Sequence, residues 1–472
     1  MKILYAASEA APFIKVGGLG DVAGALPKAL CRAGDDVRVI LPYYGAIPQS
    51  LKEQCTYRTH FYFYNSWRSQ YCGIFEAKVD GVTYYLLDNE YYFNRPETYG
   101  SYDDGERFSF FSRGILECLP LLDFYPDVLH CNDWHTALVP VLLDTQFRER
   151  PGYENIRTVF TIHNIEFQGK YDPYILGNVF GLDEQVKPLL YYDGCINLMK
   201  GAIECSDRVT TVSNRYAEEI MNPPKSCGLE HILRARSYKV SGILNGIDTD
   251  LFDPETDQRI ARNYTADTLK FKVENKKALQ KELGLPETDE VPLFGMVTRL
   301  THQKGMELVK EKLDWLADQP VQVVVLGTGD AVYEQFLRDC AARHPENLRA
   351  CLAFDGALAQ RIYAGCDFFM MPSEFEPCGL AQMIAMRYGT LPIVHTTGGL
   401  ADTVIPYNPQ EKSGRGITFQ SFHPEDFSHA LWRAVELYRD KTHFDCASTN
   451  AMAGDYSWGP SVEAYQNLYK GI

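Results

Sequence analysis

The chain opens on a short apolar run, residues 2–7, then a glycine-bearing loop at 15–20, then apolar positions at helical spacing from about 21 to 32. Gly34 stands where a helix end needs a residue free to adopt a left-handed conformation, and a second apolar run occupies 37–41. Short apolar runs bounded by polar loops and alternating with helical periodicity predict βαβ units and a parallel sheet. Similar runs at 127–130, 158–162 and 208–212 each lead into a polar loop and a helical pattern.

The pattern restarts near Pro292 with the strand LFGMVT, the basic loop THQKG, a helix to about Trp315 and the strand VQVVVLG with its glycine turn GTGD. The strands RACLAF, DFFMMP and LPIVH follow, with the helix QMIAMRY between the last two. The expected fold class is therefore α/β, two Rossmann-like doubly wound domains facing each other across a deep cleft. The first domain is expected over 1–241 and the second over 242–455, with a hinge near Gly242 where SGILNGID leaves the first unit. Residues 456–472 carry aromatics at helical spacing and are expected to rejoin the first domain as a C-terminal helix.

At 472 residues the chain exceeds one ordinary core, which fits two domains. Forty-six basic against 62 acidic residues give a formal charge of -16, which argues against a nucleic-acid partner. No uncharged apolar stretch of about 18 residues is present, so no membrane span is expected. The amino terminus lacks the apolar core and cleavage site of a secretory signal, and a cytoplasmic location is expected. Thirteen cysteines without CxxC pairs or metal-ligand spacing read as free, mostly buried thiols.

Several loops carry candidate chemistry. Lys15-Val16-Gly17-Gly18-Leu19-Gly20-Asp21 joins a strand to a helix, where backbone amides and a lysine can meet an anionic oxygen; a tight turn is the alternative. A nicotinamide cofactor needs GxGxxG and an acid ending the second strand, whereas this loop reads GxGxxxG and that strand ends in Leu41-Pro42-Tyr43. Arg299 and Lys304 follow the first strand of the second unit, at the edge where open α/β sheets bind ligands. Two cations there suit a diphosphate leaving group, with a solvated basic turn as the alternative. Glu376, Cys378, Gly379 and Leu380 open a later helix, so a carboxylate that can grip sugar hydroxyls stands before exposed amides. Thr397 and Gly398 repeat the design one unit on.

In the first unit, His130-Cys131-Asn132-Asp133-Trp134-His135 and Thr161-Ile162-His163-Asn164 each end a strand. Zinc-ligand spacing is missing from both, and Asp133 with His163 directed at a substrate is the sharper reading. Asp103-Asp104-Gly105-Glu106 reads as a structural or acceptor-side loop rather than a cation site.

Together these segments resemble the bacterial glycogen synthase and plant starch synthase family, and the resemblance runs from Lys2 to about Tyr469. The family signature K-x-G-G-L-x-D is met by 15–21, and YDDGERFSFFSRG, CNDWHTALVP, TIHNIEFQG, GILNGID, TRLTHQKG, FEPCGL and TGGLADTV follow in the family's order. The resemblance implies a GT-B fold and transfer of glucose, with retention, from ADP-glucose to the non-reducing end of an α-1,4-glucan. UDP-glucose is the lesser expectation as donor; the acceptor is glycogen or a maltooligosaccharide. No cofactor and no metal are expected.

By motif position the resemblance assigns Lys15, with the Gly17, Gly18 and Asp21 loop, and Arg299 and Lys304 to the donor phosphates. Glu376 and the Cys378-Gly379 amides go to the glucose, and His163, Asp133 and Asn245 surround the transferred sugar. Phe354 falls where the family stacks an aromatic on adenine. Two positions depart from the pattern: His395 and Glu374 stand where the family often has basic residues. Ile384 stands where the wider retaining superfamily has a second Glu, so a two-carboxylate mechanism is not expected. A catalytically silent glucan-binding or regulatory homologue, or a related glucosyltransferase with another donor or acceptor, is the alternative.

Overall fold

The computed structural model describes residues 1–472 and divides them into two compact units, Met1–Asn245 with Trp458–Ile472, and Gly246–Ser457. No helix is long and apolar enough to cross a membrane.

The first unit is built on a nine-stranded sheet. Its strands are β1 (Lys2–Ala6), β2 (Asp36–Pro42), β3 (Thr56–Asn65), β4 (Arg68–Val79), β5 (Val82–Asp88), β6 (Val128–Asn132), β7 (Arg157–Ile162), β11 (Arg208–Thr211) and β12 (Val240–Gly242). Strands β8 (Lys170–Tyr171), β9 (Tyr191–Tyr192) and β10 (Cys195–Asn197) form a separate small sheet. The main order is β12-β11-β7-β6-β1-β2-β5-β4-β3. The run from β12 to β5 is parallel, while β4 pairs antiparallel with both β5 and β3.

The parallel strands are buried on both faces: Ile3, Leu4, Tyr5 and Ala6 have no exposed surface. Such strands read as continuous apolar runs, which is why the pattern marks them. The β3–β4 hairpin was not among the predicted strands. It alternates instead, with Tyr57, Tyr62 and Tyr64 exposed along the sheet edge, so its apolar signal is diluted by outward residues.

Helix Gly18–Arg32 starts three residues before the predicted Asp21. Its glycine-rich first turn lies close against the preceding loop, and a Cβ on Gly20 would fall 3.1 Å from Lys15 Cα. The closing helix Gly459–Lys470 belongs to this unit. Tyr469 Oη lies 2.7 Å from His130 Nδ1, and Gln466 donates to Asp35 at 2.8 Å.

The second unit has a fully parallel six-stranded sheet. Its strands are β13 (Leu293–Val297), β14 (Gln322–Leu326), β15 (Leu348–Cys351), β16 (Phe368–Met371), β17 (Leu391–His395) and β18 (Ile417–Phe419). The order β15-β14-β13-β16-β17-β18 is that of the doubly wound dinucleotide fold, and its reversal falls between β13 and β16. Asp367 fixes the start of both strands, since its carboxylate accepts from Leu293 N at 2.8 Å and from the buried Lys276 Nζ at 2.7 Å.

Candidate active site

Each sheet gathers polar groups where its carboxyl ends diverge. In the first unit the loop after β1 folds around Glu9, a residue the sequence reading passed over. Its buried carboxylate accepts from Val16 N and, at 3.1 Å, from Gly17 N, inside the glycine loop itself. Burial raises the Glu9 pKa, and the two amides oppose that rise. Lys15 lies 2.7 Å from Asp21 across the same loop, both side chains partly exposed. Space beside Gly18 is open.

Beyond β6, Asp133 takes φ of 57°, a left-handed value uncommon for a side-chain-bearing residue. That turn lets its Oδ1 accept from the His163 amide at 2.7 Å and more loosely from Asn164 N at 3.4 Å. Desolvation raises the Asp133 carboxyl to about 7 against those two amides. The His163 ring is held neutral, its pKa lowered to about 3 by desolvation.

Asn132 sets the His163 tautomer. Its Nδ2 donates to Ala6 O at 3.0 Å, which turns Oδ1 toward Tyr5 Oη and His163 Nε2, each at 2.9 Å. Nε2 of His163 therefore carries the proton, and Nδ1 keeps a lone pair. His130 is fully buried between Thr161 Oγ1 and Tyr469 Oη and is structural. Asn245 is also buried, with no hydrogen-bond partner on its Oδ1. The acids of 103–106 are taken up by arginines: Arg95 binds Asp103 at 2.6 Å, Arg107 binds Asp104, and Arg68 lies 3.6 Å from Glu106. The segment is not a loop: Asp103 is the N-cap and Asp104, Gly105 and Glu106 the first turn of the helix Asp104–Leu122, where acids suit the helix start, and its role is structural.

In the second unit the loops after β13 and β16 meet at the point of reversal. Lys304 Nζ lies 2.6 Å from Glu376 Oε2, and Ser373 Oγ donates to the same oxygen at 3.0 Å. Ser373 is the second residue the sequence reading passed over. Two glycines permit this approach. Gly305, at φ of 77°, would place a Cβ 2.0 Å from Pro372 O, and Gly398, at φ of 45°, would place one 2.0 Å from Glu376 O. The Thr397-Gly398 turn is thus stacked on the Glu376 backbone, and Gly399 N donates to Glu376 O at 3.1 Å. Gln382 secures the Cys378 and Gly379 carbonyls at 3.1 and 2.9 Å, and Leu380, the next residue, stands at the start of the helix Ala381–Arg387.

Arg299 is exposed, in the same loop after β13 that carries Lys304. Glu374 faces His302 at 3.2 Å, and His395 Nδ1 lies 2.8 Å from Ser373 O, so both departures from the family pattern adjoin the Glu376 loop. Phe354 lies beyond the end of β15 and is 93% exposed, which excludes a core role.

The first edge thus offers desolvated, amide-partnered groups suited to hydroxyl groups, together with the Lys15–Asp21 pair; the second offers a more buried ion pair and an exposed arginine, suited to an anion.

Residues 2–235 match the family model described as starch synthase catalytic domain, and 275–449 match glycosyl transferases group 1. A glycogen synthase of Bacillus cereus strain B4264 is 49% identical over the whole of both chains. One from Streptococcus mutans serotype c is 48% identical, again over the whole of both. Among solved structures, the catalytic domain of starch synthase IV from Arabidopsis thaliana, bound to ADP and acarbose, superposes with a TM-score of 0.93 at 36% identity. It covers 100% of this chain and 99% of its own. Sucrose-phosphate synthase from Thermosynechococcus elongatus shares the fold alone, at a TM-score of 0.62 and 17% identity over 99% of this chain and 98% of its own.

Proposed function

This chain belongs to the glycogen and starch synthase family of glycosyltransferases, and on that premise we propose that it lengthens glycogen in the cytoplasm, moving glucose with retention from ADP-glucose to the non-reducing end of an α-1,4-glucan. The fold is the two-domain GT-B fold, and the enzyme works with a nucleotide-sugar donor and a glucan acceptor. The observation that carries the finer reading is the Lys304–Glu376 pair at the point of strand reversal in the second sheet, with Arg299 exposed in the loop that also carries Lys304.

In the proposed reaction the glucan 4-hydroxyl attacks the anomeric carbon on the face the nucleotide leaves. The bond from that carbon to the β-phosphate oxygen breaks, and the hydroxyl proton passes to the departing phosphate. Lys304 and Arg299 stabilise the charge that grows on the phosphate, and the motif around Lys15 supports a donor-phosphate role for that lysine too. The Glu376 carboxylate holds Lys304 in place before the donor arrives, and its other oxygen is available to a sugar hydroxyl. Neutral His163, Asp133 and Asn245 serve the transferred glucose, and Phe354 presents a flat face to the base. These cations do the work a divalent ion would do at a diphosphate, so transfer needs no metal and no cofactor.

The test is label transfer to glycogen from ADP-glucose and UDP-glucose side by side, with and without a chelator. ADP-glucose should be the better donor and the chelator without effect. Transfer from neither donor would favour a silent glucan-binding homologue, and loss with chelator restored by magnesium would overturn the metal-free reading.

A further inference from the structure

The helix Met306–Ala317, which begins just after Lys304, packs against the helix Ala331–Arg343. Where they meet, the Asp314 carboxylate, the Cys340 thiol and the His344 imidazole bring one ligand atom each to within 4.8 Å of one another. Asp314 Oδ1 lies 3.2 Å from Cys340 Sγ and 2.9 Å from His344 Nε2. Cys340 lies in the last turn of its helix and His344 is the residue that caps that turn, its amide donating to Cys340 O at 3.0 Å; Asp314 comes from the other helix.

We propose that Asp314, Cys340 and His344 bind a single divalent cation of borderline softness, zinc above all, as a clamp between these two helices. One sulfur, one nitrogen and one oxygen suit zinc, whereas magnesium and calcium favour all-oxygen sets. Thiolate, carboxylate and neutral imidazole together supply two negative charges against the two positive charges of the ion, and the thiol proton leaves to solvent.

The surroundings provide the outer contacts such a site uses. The second ring nitrogen of His344, Nδ1, lies 3.7 Å from Asp318 Oδ1, beyond hydrogen-bond distance, so this exposed carboxylate would have to close in to orient a metal-binding imidazole. Arg343 Nη2 donates to Asp314 Oδ2 at 2.6 Å, and its Nε reaches Oδ1 at 3.1 Å. The ion would displace the second contact and leave the first. Cys340 is buried, but the Asp314 side chain is 43% exposed, so an ion has a path in and water can complete a tetrahedron. Asp314 lies on the helix that Lys304 precedes, yet none of the three ligands belongs to the transfer machinery. The site is independent of the proposed reaction.

The reduced, metal-stripped full-length protein should be titrated with cobalt(II) and then zinc. A near-ultraviolet thiolate-to-cobalt band should saturate at one ion per chain and vanish on adding zinc, and zinc should raise the melting temperature. Cys340→Ser should abolish both responses; should that variant not fold, His344→Asn serves the same purpose. Asp318→Asn should weaken binding about 10- to 100-fold, as expected for an orienting carboxylate. No band, or a band that survives in Cys340→Ser or His344→Asn, would overturn the site and leave a hydrogen-bonded cluster.

Discussion

At the carboxyl edge of the first sheet, desolvation acts on the ionisable groups and backbone amides partner the carboxylates: Asp133 is raised to about 7, His163 is lowered to about 3, and Glu9 is raised inside its glycine loop. At the corresponding edge of the second sheet, Lys304 and Glu376 face each other as an ion pair with Ser373 on the shared oxygen. Both edges arise from the same device, strands diverging where a doubly wound order reverses. Apart from the partly exposed Lys15–Asp21 pair, what differs is the partner given to each charge. Amide-partnered, desolvated groups favour neutral hydroxyls, whereas a cation held in place by a carboxylate favours a diphosphate. One fold used twice thus yields two chemically distinct surfaces.

The sharpest way to break this contrast is to remove the anion that positions the lysine. Glu376→Ala strands Lys304, 17% exposed, without its counter-charge. The second unit should lose about 3 kcal/mol, as when one partner of a buried pair is deleted, and transfer should fall to background. Lys304→Ala with Glu376→Ala together should melt higher than Glu376→Ala alone; equal melting temperatures would show that the pair does not couple.

Phe354→Ala probes the same unit without touching its core. Since the ring is 93% exposed, the melting temperature should stay put. Donor affinity should fall by about 1 to 3 kcal/mol if the ring stacks on the base. An unchanged Michaelis constant for the nucleotide sugar would contradict that placement.

The first unit is probed through Asp133. Its folded pKa of about 7 lies above the value of about 3.9 for an unfolded aspartate. The unfolded chain therefore releases the proton first, and stability is lost as pH rises from near 4 through 7. Asp133→Asn removes this dependence while keeping an oxygen for the His163 amide, and asparagine tolerates positive φ. The variant should gain on the parent between pH 5 and pH 8, by on the order of 1 to 2 kcal/mol because the carboxylate retains some surface. Parallel melting curves across that range would mean Asp133 is an ordinary ionised acid.

Sequence and structure agree where local pattern and chemistry coincide. Parallel strands such as β1 and β14 are apolar after their first residue, Lys2 and Gln322, because both faces are covered. Their loops carry Lys15, Asp133, Lys304 and Glu376 at recognisable spacings. Glu9 escaped because nothing in SEAAPF marks it; its meaning comes from the chain folding Val16 and Gly17 back over it. The β3–β4 hairpin escaped because an edge strand alternates between sheet and solvent. For Phe354, the pattern alone cannot separate a core aromatic from an exposed one. Two of the three residues of the Asp314–Cys340–His344 cluster lie in the four-residue spacing CAARH, but Asp314 joins them only through helix packing.

The central claim is that the cations of the second sheet act on the leaving group, and the most direct measurement is turnover set against nucleotide binding in Lys304→Ala and Arg299→Ala. With folding confirmed by circular dichroism, the turnover number in each should drop roughly 10²- to 10³-fold, about 2.7 to 4 kcal/mol. ADP-glucose affinity should change far less, because the charge they stabilise grows as the bond breaks. Lys304→Arg should not restore the full rate, since a planar guanidinium and a compact ammonium differ in reach. Near-normal turnover in both alanine variants, or a loss confined to donor affinity, would contradict the account.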